Sequence, residues 1–128
     1  MAGVADFLCT AAASGNVQLV RWLLENGADP NGTNSYGRTA IQVMMMGSPR
    51  IAELLVSFSA NPNRSDPTTG QTAVHDAAIG GFLDTLVVLL RAGGQLYEPK
   101  DHYGNLPIDL VSAEDVKALQ AIGFVMQL

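Results

Sequence analysis

The side chains with the most chemical reach in this 128-residue chain are Cys9, His75, His102, the methionines Met44, Met45 and Met46, and the aspartates Asp66, Asp76 and Asp84. A thiol and an imidazole can make a nucleophile and its base, but Cys9 lies far in sequence from both histidines and no such pair is marked out. A single cysteine leaves no intrachain disulfide and no cysteine zinc site, which suits a reducing compartment. No His, Asp and Glu cluster has metal-ligand spacing. Gly80-Gly81 and Gly93-Gly94 end helices rather than following strands, so they do not cradle phosphate. The sequence therefore calls for no cofactor and no metal, and it reads as that of a non-enzyme. What is left suits a protein partner: carboxylates that can meet basic groups, and methionines that make adaptable apolar contacts when they reach the surface.

These residues sit on a repeated framework. Gly37, Gly70 and Gly104 fall 33 and 34 residues apart. Thr72-Ala73-Val74-His75-Asp76-Ala77 is close to the T-P-L-H-x-A opening of an ankyrin repeat, whose period is about 33 residues. Ala73 stands in the proline place. Each copy pairs a small-residue first helix with an apolar second helix. In the first repeat Phe7, Leu8, Ala11 and Ala12 precede a stripe of Val17, Val20, Leu23 and Leu24, with Trp22 expected to pack on a neighbouring helix. In the second, Thr39 is a candidate cap and the first helix, Ile41 to Met46, is cut short by Gly47. Ser48-Pro49 then starts a second helix with Ile51, Leu54, Leu55 and Phe58 as its buried stripe. The third repeat is the best copy, with Leu83, Leu86, Val87 and Leu90 facing the core. The fourth carries a capping-box pattern at Ser112 to Asp115 ahead of Val116, Leu119 and Ile122. The expected architecture is all-α: one domain, 1–128, an ankyrin-repeat solenoid of four stacked helix–turn–helix repeats at about 4–32, 33–65, 66–99 and 100–128. Short β-turn or hairpin loops join them.

Bulk properties narrow the function. Hydrophobic residues make up 48% and aromatics only 6%, so the core is aliphatic, as thin stacked helices require. A net charge of −5 argues against nucleic-acid binding, which needs a basic face. No apolar run approaches the roughly 18 residues of a membrane span. The first fifteen residues do not read as a signal peptide. Asn31-Gly32-Thr33 and Asn63-Arg64-Ser65 match the glycosylation pattern but read as turn-rich loop sequence.

The individual residues carry competing readings. His75 reads as the repeat's own structural histidine. Three consecutive methionines sweep most of a helix circumference, so at least one should reach the surface; loose packing of a short helix is the alternative. Asp76 fills the free position of the repeat opening, is not needed by the fold, and is expected to project from its helix as an ordinary solvated carboxylate. Asp84 falls in a helix's first turn, where the dipole favours an acid. Asp66, before Pro67, could be only a turn residue.

Asn34-Ser35-Tyr36-Gly37-Arg38, Ile41 through Ser48, Val74 through Ala78, and Gly81 through Leu89 together resemble the ankyrin-repeat inhibitors of the cyclin-D-dependent kinases, closest to the short four-repeat tumour suppressors. The resemblance covers about residues 5 to 122. The triple-Met stretch and Phe82-Leu83-Asp84-Thr85-Leu86 are not general ankyrin consensus, which makes it specific. It implies a monomeric, non-enzymatic inhibitor that binds the cyclin-free kinase beside its ATP cleft, opposes cyclin binding and holds cells in the first gap phase, in cytoplasm and nucleus. It maps acidic contacts onto Asp66, Asp76 and Asp84, and second-repeat contacts onto Tyr36, Gln42, Met44 and Met45. The chain departs from the family at Gln18, at Ile79-Gly80, and in a shortened fourth repeat. The competing expectation is an ankyrin adaptor for another partner, such as a transcription factor.

Overall fold

The structure, a computed structural model, describes residues 3–126. Seven α-helices follow one another: α1 Val4–Ala13, α2 Val17–Glu25, α3 Ala40–Val43, α4 Pro49–Ser57, α5 Ala73–Gly80, α6 Leu83–Arg91 and α7 Ala113–Ala121. A 3-10 turn, Pro107–Leu110, stands where the fourth repeat would have its first helix. Side-chain caps start several of them: Asn16, Ser48 and Ser112 accept hydrogen bonds from Leu19, Ile51 and Asp115 N–H groups at 3.1, 3.3 and 3.2 Å. Pro49 occupies the first turn of α4, where its missing N–H costs nothing.

The helices stack in two layers. α1 packs on α3, and α5 on the 3-10 turn; the second helices α2, α4 and α6 pack in sequence. Leu8, Val20, Ile41, Ile51, Leu55, Val74, Leu86, Leu89 and Leu119 are fully buried between them. Ala11, Ala12, Ala40, Ala52, Ala73 and Ala77 allow close helix approach and are also buried. Phe58 and Ile122, expected in the core, lie at the ends of their stripes as C-caps of α4 and α7 and are 38% and 50% exposed. Trp22 is 58% exposed rather than packed on a neighbouring helix, because the residues beside it on α2 and α4 are long and polar (Gln18, Arg21, Glu25, Arg50).

Backbone geometry explains the repeat punctuation. Gly37, Gly70 and Gly104 take φ of +77°, +72° and +83° at the hairpin tips. Asn34, Asp66 and Asp101 each turn a carboxylate or amide oxygen onto N–H groups of their own loop, closing it. Repeats are stitched by two asparagines. Asn31 donates to the Ser59 carbonyl at 3.0 Å and accepts from Asn61 N–H at 2.7 Å. Asn63 donates to the Gly93 carbonyl at 2.9 Å and accepts from Gln95 N–H at 3.0 Å. These are the asparagines of the two glycosylation-like triplets, and their side chains join adjacent repeats.

His75 is fully buried. Its Nδ1 accepts the Thr72 N–H at 3.0 Å, which leaves Nε2–H to donate to the Asn105 carbonyl, also at 3.0 Å. It thus closes a capping box and ties the third repeat to the fourth. Gln42 takes the corresponding place in the second repeat: its Oε1 accepts the Thr39 N–H at 2.8 Å and its Nε2 donates to the Arg64 carbonyl at 3.1 Å.

Candidate functional site

The second repeat departs most from the pattern. α3 ends at Val43, one turn long, rather than running to Met46. From Met44 the chain leaves the helix as an extended residue (φ −57°, ψ 157°). Three backbone groups of the turn that follows find partners in another element or in the turn itself. Met45 N–H donates to the Ala12 carbonyl at 2.9 Å, and the Met45 carbonyl accepts from Ser48 N–H at 3.0 Å. The Met46 carbonyl accepts from the Thr85 hydroxyl at 2.6 Å. Met44 is turned inward and only 4% exposed, whereas Met45 is 46% exposed with its thioether lying over Gly15. Of the methionines expected at a contact, Met45 is therefore at the surface, and Met44 packs in the core because the chain turns at that residue.

The three aspartates are in three different states. Asp66 is held by the fold. Its carboxylate pairs with Arg38 of the preceding repeat and accepts the Thr68 N–H at 2.7 Å. The Arg38 hydrogen bond is the main reason its pKa lies below the usual carboxylate range. Asp84 is exposed in the first turn of α6, its carboxylate unbonded. Asp76 is half-buried on α5, and its carboxylate takes no hydrogen bond and no ion pair within the described chain. Burial first, and the charge of Asp66 second, push its pKa up to about 6. It is not the ordinary solvated carboxylate that the repeat opening suggested: packing around α5 withdraws water from it.

Tyr36 is 76% exposed at the hairpin tip before α3. Gln42 uses both ends of its amide inside the fold. The seven residues proposed from sequence thus divide. Tyr36, Met45, Asp76 and Asp84 have free side chains, while Gln42, Met44 and Asp66 are occupied in holding the repeats together. Two further residues belong with the first group. Tyr103, 75% exposed, repeats Tyr36 at the fourth-repeat hairpin, and the recurring Tyr-Gly dipeptide was its signal. Phe82, 40% exposed, lies against the Gly80 backbone and near Gly47, a packing that no periodicity announces.

Nucleophilic and metal chemistry have little to work with. The Cys9 thiol is 4% exposed, faces the Arg38 carbonyl at 3.6 Å, and is pushed up to about 11, chiefly by burial. No group of three or more His, Cys, Asp or Glu among the described residues could hold a metal ion. No helix among them is long and apolar enough to cross a membrane.

Comparison with known proteins agrees with the repeat fold. A family model described as ankyrin repeats (3 copies) matches residues 8–107. The chain is 62% identical over 106 residues to the human protein named cyclin-dependent kinase inhibitor 2A, covering 83% of this chain and 67% of that protein. It is 60% identical over 108 residues to the human cyclin-dependent kinase 4 inhibitor B, covering 84% of this chain and 78% of the relative. A plant E3 ubiquitin-protein ligase, XBAT33 of Arabidopsis thaliana, is only 37% identical over 98 residues, and the match spans 18% of its length.

Proposed function

Because this chain belongs to the ankyrin-repeat cyclin-dependent kinase inhibitors, we propose that it binds a cyclin-D-dependent kinase through its free acidic, aromatic and methionine side chains and thereby restrains entry into DNA synthesis. The observation that carries this reading is Asp76. A carboxylate already stripped of part of its water, with no cation of its own, is a poor contributor to the isolated fold and a good receptor for a basic side chain. A partner cation supplies the missing charge, and because desolvation has been met in advance, the pair gains more than it would on an open surface. Asp84 adds a second, solvated negative charge, and Tyr36 and Met45 add apolar contact.

Inhibition by such a surface needs no chemistry from the inhibitor. It binds one conformation of the kinase in preference to another, and any ligand that favours the other conformation is weakened by the same factor. The inhibitor and the cyclin therefore oppose each other, and the cyclin-free kinase is the preferred partner. Access to kinase in both nucleus and cytoplasm is part of the proposal.

The test is a titration of cyclin-free kinase with the chain, repeated in the presence of cyclin D. The reading expects saturable binding that weakens as cyclin is added, and a loss of more than tenfold in affinity for Asp76→Ala. Equal affinity with and without cyclin contradicts the mechanism, and absence of binding to any cyclin-D-dependent kinase overturns the function.

A further inference from the structure

We infer that Thr85, on the third repeat, is a positioning residue for the partner contact of the second: its hydroxyl holds the turn that presents Met45. The second helices of the first two repeats carry apolar Leu19 and Ile51 three residues past their N-caps, Asn16 and Ser48. α6 carries Thr85 three residues past Phe82, and this threonine is 1% exposed. A hydroxyl in a helix ordinarily returns its proton to a carbonyl of its own preceding turn. Thr85 instead donates at 2.6 Å to Met46, 39 residues away. The reason lies in α3. Where a first helix of ordinary length continues, its carbonyls find partners along the helix. Here α3 stops at Val43, and the part-buried Met46 carbonyl has no helical partner. Thr85 is the group that satisfies it.

The clamp fixes more than one carbonyl. Met45 is bonded at its N–H to Ala12 of the first repeat and at its carbonyl to Ser48, and the next carbonyl goes to Thr85. The turn is therefore pinned from the first and third repeats at once, and Met45 has a defined direction over Gly15. Removing the Thr85 hydroxyl leaves a part-buried carbonyl without its partner, and the turn gains by moving toward water. The contact residue moves with it.

This inference rests on the kinase-binding reading for its functional half and on the free chain for its structural half, so two measurements separate them. In the free protein, amide exchange at Met45 and Ser48, the two turn amides with acceptors, is compared for wild type, Thr85→Val and Thr85→Ser. The clamp predicts exchange at least tenfold faster in Thr85→Val and near wild-type in Thr85→Ser, which keeps the hydroxyl and loses only a methyl. Should Thr85→Val fail to fold, Thr85→Ala takes its place. Unchanged exchange, or Thr85→Ser behaving like the variant that lacks the hydroxyl, overturns the clamp whatever the partner. Affinity for the cyclin-free kinase is then measured for Thr85→Val, Met45→Gln and the double variant, under conditions where each is folded. The positioning role predicts a five- to tenfold loss for Thr85→Val that disappears in the Met45→Gln background, because a residue acting through Met45 has nothing left to act on. Additive losses refute it, as does a Met45→Gln variant of wild-type affinity. Failure of wild type itself to bind the kinase overturns the functional reading and leaves the exchange result to judge the clamp.

Discussion

Replacing Asp76 by Asn should make the free protein more stable at neutral pH while weakening its grip on the kinase. The carboxylate is half-buried without a partner, and its pKa rises from 3.8 to about 6. That rise corresponds to about 3 kcal/mol at 1.36 kcal/mol per pKa unit, the amount by which ionised Asp76 burdens the folded state at pH 7. Asn has the same shape and no charge, but its amide also prefers hydrogen bonds, so the net gain is about 1–2 kcal/mol. The sign is opposite to that of a salt-bridged aspartate. With the folded pKa raised, the burden is present in full above about 6 and vanishes as pH falls toward 3.8, where the unfolded chain also takes up the proton. The stability gap between Asp76→Asn and wild type should therefore be widest at pH 7 to 8 and close between pH 6 and 4. Urea unfolding followed by circular dichroism at each pH measures it. A variant less stable than wild type at pH 7, or a gap that does not depend on pH, refutes the argument that Asp76 is held desolvated. Paired with a more than tenfold loss of kinase affinity, the expected result would show a residue whose cost to the fold serves the interface.

Three other outcomes follow from particular contacts. Ser59 ends α4 at φ +70°, where Gly27 and Gly93 end α2 and α6, so Ser59→Gly should raise unfolding stability by about 0.5–1 kcal/mol, read from the same urea curves. Asp66→Ala should cost about 1–2 kcal/mol, since the Thr68 N–H loses its acceptor and the loop its closure; Asp84→Ala, which removes no bonded group, should stay within about 0.5 kcal/mol of wild type. Equal effects of the two would undo the division between occupied and free aspartates. Cys9, buried with its thiol near 11, should react with a thiol reagent at pH 8 at least a hundredfold more slowly in native buffer than in denaturant, and fast native labelling would show that α1 does not pack as described.

The repeat period, the Thr72 to Ala77 opening and the aliphatic stripes made the solenoid readable from the chain, because each is a local pattern repeated with the same chemistry. Gly47 announced a short first helix in the second repeat, but not that the chain would turn at Met44 and send that side chain inward. That choice depends on Ala12 and Thr85, which lie in other repeats. Gln42 illustrates the same limit. The resemblance put it on the partner surface, whereas in the structure both ends of its amide are bonded within the fold. Asp76 was legible as a position the fold does not require. Its environment was not, since burial of an α5 side chain is set by the neighbouring repeats and leaves no trace in the sequence around it.

Reconstituted kinase activity bears on the central claim most directly. A cyclin-D-dependent kinase is incubated with increasing amounts of the chain before cyclin is added, and phosphorylation of a peptide substrate is followed. The account predicts inhibition that saturates at one inhibitor per kinase and is at least tenfold weaker with Asp76→Ala, although that variant is folded. Full kinase activity at saturating wild-type chain, or equal inhibition by Asp76→Ala, would contradict it.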